Sequence, residues 1–231
     1  MSLPTKEYYK IIADHLSANG NPKEAAAMSK YMRHKFAFYG IKAPLRRTIQ
    51  KAIIQEYGMP RLDQLADLVD LLWADPHREM QHFAIDLIDK QIKKVDLDFI
   101  QTLERLITTK SWWDTVDMLA IRQMGHLGKR FPEIIPSYPN TWMASENIWL
   151  QRTAIIFQLK YKEQTDIDLA LKYILQLKGS KEFFIQKAAG WFLREYSRTD
   201  WELVVDFVEK NDLAPLTKRE GLKWLKKQGA L

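Results

Sequence analysis

Apolar residues recur along this chain with the 3.6-residue spacing of an amphipathic helix. YKIIADHL, LADLVDLLW, FAIDLIDKQI, LALKYILQL and WELVVDFVEK all carry it, and no alternating run of useful length competes with them. Turn signals separate the helical stretches: GNP at 20–22, YGMP at 57–60, ADP at 74–76, RFPEIIPSYPN at 130–140 and LAP at 213–215. No low-complexity linker or charge block marks a boundary. The pattern predicts an all-α single domain over residues 1–231.

The helices also repeat. IWLQRTAIIFQL superposes on FFIQKAAGWFL with a step of 35 residues, aligning Leu150 with Ile185, Gln151 with Gln186, Arg152 with Lys187 and Ala154 with Ala189. Stepping back the same distance reaches Met80, Gln81 and Ala84, then Leu45, Arg46 and Ile49, the loosest match. LTKREGLKWL joins with a step of 32. Such a period reads as a superhelical array of about six HEAT-like antiparallel helix pairs, a curved solenoid. Positions 49, 84, 119, 154, 189 and 221 hold Ile, Ala, Leu, Ala, Ala and Gly, and are expected to pack between helices. Two residues earlier, about 200° around the helix, sit Arg47, His82, Asp117, Arg152, Lys187 and Arg219. This line is expected to form a basic concave face that follows a phosphate backbone, with Asp117 as its one acid.

The charge balance fits that expectation. The chain has a formal net charge of +6, favouring an anionic partner such as nucleic acid. It contains no cysteine, which excludes disulfides, cysteine–zinc sites and thiol nucleophiles. Its five histidines show no ligand spacing and no HExxH occurs, which argues against a metal hydrolase. MSLPTKEYYKIIADHL does not read as a secretory leader, and no run of about eighteen apolar residues suggests a membrane span. The expected location is cytoplasmic.

SWWDTVD, residues 111–117, is the chemically unusual stretch. Ser111 and Asp114 resemble a capping box, as do Thr217 and Glu220, which marks Asp114 as structural. Asp117 lies too far in to cap and shares a helical face with Trp113, whereas Trp112 is rotated about 100° and is expected to pack inward. Trp191 follows Lys187 by one turn on the equivalent stripe. Two indoles and a carboxylate beside cations suit cleavage of a glycosidic bond whose leaving group is a cation. Indole faces attract positive charge, and a carboxylate stabilises an oxocarbenium ion or aligns water.

SWWDTVD, NIWLQR, KEFFIQKAAGWFLREY and YMRHKFAFYGIKAPLRR together resemble the AlkD family of bacterial DNA alkylation-repair glycosylases, from about residue 20 to 225. The resemblance implies a HEAT-like fold and cofactor-free, monofunctional base excision repair of cationic alkylpurines such as 3-methyladenine and 7-methylguanine in duplex DNA. It implies action as a monomer with no obligate protein partner, and without flipping the base. It assigns catalysis to Trp113, Asp117 and Trp191, the groove arginine to Arg152, and further DNA contacts to Tyr31, Arg47, Lys160 and Arg194. The basic line adds Lys187. Ala43 departs from the hydroxyl residue expected there, which touches one phosphate contact. Two other readings compete: a non-catalytic HEAT-like scaffold binding DNA or protein, and a lyase using Lys187 or Lys160 as its amine.

Overall fold

A computed structural model describes residues 3–229. The chain is all-helical, with one isolated bridge between Ala37 and His77, and it divides into two compact units, one up to Thr102 and one from Leu103 onward. The first contains α1 (Thr5–Ala18), α2 (Pro22–Tyr31), α3 (Ala43–Tyr57), α4 (Leu65–Ala74) and α5 (Arg78–Gln91). The division falls within α6 (Phe99–Thr108). The second continues with α7 (Trp113–Met118), a π-helical turn over Leu119–Met124, α8 (Gly125–Arg130), α9 (Ile134–Ser137), α10 (Pro139–Ala144) and α11 (Ile148–Ile156). Then come α12 (Ile167–Gln176), α13 (Phe183–Tyr196), α14 (Trp201–Lys210), α15 (Pro215–Gly221) and α16 (Lys223–Gln228). Among the described residues no helix is long and apolar enough to cross a membrane.

The turn signals mark helix ends for identifiable reasons. Asn21, Asn147, Asp166 and Asp200 each accept a backbone N–H at the start of the helix that follows, satisfying donors that the first turn leaves open. Pro22 and Pro215 occupy first-turn positions that need no N–H. The proline-rich stretch at 130–140 differs from the sequence expectation, because it winds into α9 and the start of α10.

Helix pairs form two layers in the second unit. α11, α13 and α15 pack in succession on one side, and α10, α12 and α14 back them. In the first unit α3 packs on α5, while α1 and α4 lie together. The repeat register is written into the hydrogen bonds. Gln81, Gln151 and Gln186 each donate from Nε2 to the carbonyl six residues earlier, at 2.8, 2.6 and 3.0 Å. Ile49, Ala84, Leu119, Ala154, Ala189 and Gly221 are all buried, so the positions expected between helices are there.

The segment before α3 is built around a fully buried carboxylate. Glu79 accepts the backbone N–H groups of Tyr39, Gly40 and Ile41 at 3.1, 2.8 and 3.0 Å. Gly40 is required there: its φ is +88°, and a Cβ would lie 2.1 Å from the Asn21 carbonyl oxygen. Tyr39 stacks on His77 at 3.8 Å, and Arg78 lies 3.8 Å over the Phe36 ring. Glu79→Gln turns an amide N–H₂ toward donors that need an acceptor. We expect it to lower stability by about 2 kcal/mol, read as an earlier urea midpoint with an unchanged slope. An unshifted midpoint would show that the carboxylate does not hold this segment.

Candidate active site

The site begins with an ion pair between neighbouring helices of the second unit. Asp117, in the last turn of α7, accepts from Arg152 Nε on Oδ1 at 2.6 Å and from Arg152 Nη2 on Oδ2 at 2.9 Å. Arg152 Nη1 donates to the Phe184 carbonyl at 2.6 Å, tying α11 to the start of α13. The bidentate fork fixes the plane of the carboxylate, which a single-point ammonium contact would leave free to turn. Burial pushes the Asp117 carboxyl above the usual carboxylate range, and Arg152 pulls against it. The carboxylate still keeps an opening, with its side chain 15% exposed beside an arginine side chain at 5%.

Aromatic rings back the pair. Trp112, Trp149 and Phe184 pack with centroids 5.7, 5.1 and 4.9 Å apart, and the Arg152 guanidinium carbon lies 5.9 Å from the Phe184 ring centre. Trp112 packs inward, as its rotation from Trp113 predicts. Trp113 opens α7 and is half-buried, and so is Trp191 in α13. α11 packs against both α7 and α13. Trp113 and Asp117 therefore sit on one flank of α11, with Trp191 on the other.

Arg47, Lys160, Lys187 and Arg194 each have an acidic neighbour, and Arg219 is exposed. Lys160 Nζ lies 2.6 Å from Glu195, and Lys187 and Arg194 lie 3.0 and 2.8 Å from a single oxygen of Glu220. Arg47 is exposed and 3.9 Å from Asp86, which Arg46 holds at 2.8 Å. Glu220 would be raised by burial alone, but Lys187, Lys223 and Arg194 outweigh that and keep it below the usual range. Tyr31, 71% exposed, is no core residue. With Ala27, Met28, Met32, Phe38 and His82 it walls an apolar hollow of about 250 Å³ in the first unit.

Two expectations need correction. Arg152 is 4% exposed, so it does not stand in an open basic line. Its charge goes to a carboxylate one repeat away. Neither capping box forms: Ser111 Oγ donates to the Ile107 carbonyl and α7 starts only at Trp113. Thr217 Oγ1 donates to the Gln186 carbonyl, while Glu220 serves the cations of α13. The helix does not continue regularly after Asp117. Residues 119–124 instead form a π-helical turn, a feature common at functional sites. A Cβ at Gly125 would sit 2.8 Å from the Phe157 carbonyl oxygen, and Tyr161 donates to the Gly125 carbonyl at 2.6 Å. The helix thus passes unusually close to the 157–161 segment, and its glycines, GHLG, were the available signal.

Paired helices throughout, with a partly open carboxylate pinned by an arginine from the neighbouring repeat, define an α-helical repeat protein with a candidate active site. The comparisons with known proteins define it further. A family profile described as DNA alkylation repair enzyme matches residues 12–225, and the chain belongs to that family. A solved structure described as a predicted DNA alkylation repair enzyme from Enterococcus faecalis is 35% identical, with a TM-score of 0.83 over 90% of this chain and 97% of that one. The structure of smu.31 from Streptococcus mutans UA159 is 16% identical, with a TM-score of 0.59 over 79% of this chain and 96% of that one, and it shares the fold. A search of curated protein sequences returns no match.

Replacing Arg152 with Met leaves Asp117 charged without its partner. We expect a loss of about 3 kcal/mol, the low end for breaking a buried pair because the carboxylate keeps some solvent. Denaturant unfolding measures it, and wild-type stability would mean that the pair contributes nothing net.

Proposed function

We propose that the chain is a monofunctional DNA N-glycosylase that hydrolyses the N-glycosidic bond of cationic alkylated purines in duplex DNA. The observation that carries this reading is Asp117: a carboxylate buried enough to act strongly, oriented by two hydrogen bonds from Arg152, and still partly open. Family membership supplies the DNA alkylation-repair context, and the half-buried indoles of Trp113 and Trp191 supply surfaces for a sugar.

The chemistry follows from charge. Methylation at N3 or N7 makes the base a cation, so the bond from its glycosidic nitrogen to C1′ breaks with the electron pair going to the base. The base leaves neutral and C1′ becomes the positive centre of an oxocarbenium ion. Trp113 and Trp191 pack on the deoxyribose and meet that charge with their π faces. Asp117 stabilises it electrostatically and directs a water to C1′, where a C–O bond forms and one proton passes through the carboxylate to solvent. The products are a free alkylated base and an abasic site. Because the sugar and not the base is gripped, the damaged base stays in the duplex in this reading.

Arg152 serves the carboxylate first. Its three hydrogen bonds and its burial mean that a phosphate reaches it only by exchanging one of those bonds. Tyr31, Arg47, Lys160, Lys187 and Arg194 are the proposed backbone contacts: Arg47 and Lys160 exchange their acidic partners for phosphate on binding, whereas Lys187 and Arg194 keep Glu220 and meet phosphate with their remaining N–H groups. A lyase route is disfavoured on the same geometry, since Lys187 and Lys160 are held as ammonium partners of Glu220 and Glu195.

Base release from duplex DNA carrying 7-methylguanine, followed under single-turnover conditions, tests the reading. Asp117→Asn is expected to release base about a hundredfold more slowly while binding DNA nearly as well. Equal losses of rate and affinity would overturn the assigned role. No release by the wild type, from this duplex or one carrying 3-methyladenine, would favour a DNA-binding scaffold. The same assay gives a pH dependence. The charged carboxylate is the working form and burial raises its pKa, so the rate rises with pH and reaches half its plateau above the ordinary aspartate value of about 3.9. A half-point at or below that value would contradict the buried carboxylate.

A further inference from the structure

Lys187, Trp191 and Arg194 fall at i, i+4 and i+7 of α13, so they share one stripe with the indole between the two cations. A residue from another helix joins those cations. Glu220, in α15 and 7% exposed, places Oε2 2.8 Å from Arg194 Nη1 and 3.0 Å from Lys187 Nζ.

The backbone makes this possible. α13 and α15 approach so closely that a Cβ on Gly190 would lie 2.6 Å from the Glu220 Cβ and 2.9 Å from the Thr217 carbonyl oxygen. Thr217 Oγ1 in turn donates to the Gln186 carbonyl at 3.2 Å. Glu220 is therefore delivered at fixed depth beside the residue preceding Trp191. Gly221 continues the contact, since a Cβ there would lie 3.2 Å from the Leu193 Cβ. Long flexible side chains such as Lys187 and Arg194 lose considerable rotamer freedom when ordered. A carboxylate that orders both before the ligand arrives removes that cost from the binding step.

We infer that Glu220 is a positioning residue of the reaction: it holds Lys187 and Arg194 on either side of Trp191, so that the strand backbone meets a fixed pair of cations and the sugar is set against the indole. The inference rests on the glycosylase reading. It carries an electrostatic cost that makes it distinguishable from a role in folding. The carboxylate subtracts a negative charge from the surface that grips DNA, so its removal strengthens unspecific binding while loosening the alignment that the chemistry needs.

The experiment compares wild type, Glu220→Gln and Glu220→Asp in two assays, with thermal unfolding as a check on the fold. The first is base release from 7-methylguanine duplex at saturating enzyme, and the second is the salt dependence of binding to undamaged duplex. Glu220→Gln is expected to slow release about tenfold while binding tighter at low salt, with a log–log salt slope steeper by about one. Glu220→Asp keeps the charge but withdraws it by one methylene, so its salt slope stays wild-type and its rate falls between the two. Should Gln fail to fold, the Asp protein carries the test on rate: slower release at wild-type affinity supports the inference, and a wild-type rate overturns it. A wild-type rate in Glu220→Gln overturns the inference alone, and so does a joint fall in rate and affinity with an unchanged salt slope. If the wild type releases no base, the glycosylase reading itself has failed.

Discussion

Everything specific about the candidate site depends on the two-point contact between Arg152 and Asp117. Burial alone disfavours the charged form of the Asp117 carboxylate. The guanidinium opposes this and sets the orientation at once. It also connects the site to the fold, since its third hydrogen bond goes to the Phe184 carbonyl at the start of α13. The carboxylate on α7 and the helix bearing Trp191 are thus referenced to one side chain on α11. Substituting lysine would keep the charge and lose the geometry.

That contact is one case of a wider rule in this molecule. Helices that are equivalent in consecutive repeats stack, so residues about one repeat apart in sequence face each other in space. Asp117 and Arg152 are 35 residues apart, as are Lys160 and Glu195, and Lys129 and Gln164. Tyr161 and Gly125 are 36 apart, and Lys187 and Glu220 are 33 apart. A chain with net charge +6 places several of its cations in this lattice rather than leaving them bare. Such pairs on a partly exposed surface add little stability, but they order long side chains. A polyanion must then compete with protein carboxylates for them, so each pair subtracts from the charge that grips DNA and flattens the salt dependence of binding.

The helices and their register were legible because both rest on local, repeated signals. Apolar periodicity, capping Asn and Asp, and first-turn prolines act within a few residues, and the 35-residue step recurs often enough to be read. WELVVDFVEK is α14 from end to end. What escaped was decided by neighbours. Position alone put Arg152 on an outward stripe, yet a carboxylate 35 residues away draws it in, to 4% exposure. Ser111 and Asp114 have capping-box spacing, but the chain reaches α7 through Trp112 in an extended conformation, so the helix begins too late for Ser111 to cap it. The π-helical turn runs directly into the close approach of Gly125 to the Phe157 carbonyl, a contact no periodicity encodes. The acidic partners Glu195 and Glu220 could have been found by searching one period ahead for opposite charge.

The site's energetics make one further point about why the carboxylate is buried at all. A fully hydrated aspartate interacts weakly with a cation several ångströms away, because water screens it. Partial burial strengthens that interaction and raises the proton affinity of the group together, so electrostatic reach and instability arise from the same desolvation. Arg152 offsets the instability without covering the whole carboxylate, whose side chain retains 15% of its exposure. A developing positive charge on a sugar would find an anion already stripped of part of its hydration and already oriented, with little left to reorganise at the moment of reaction. The stability cost is concentrated in one ion pair, and the regular stacking of the helices on either side is what supports it.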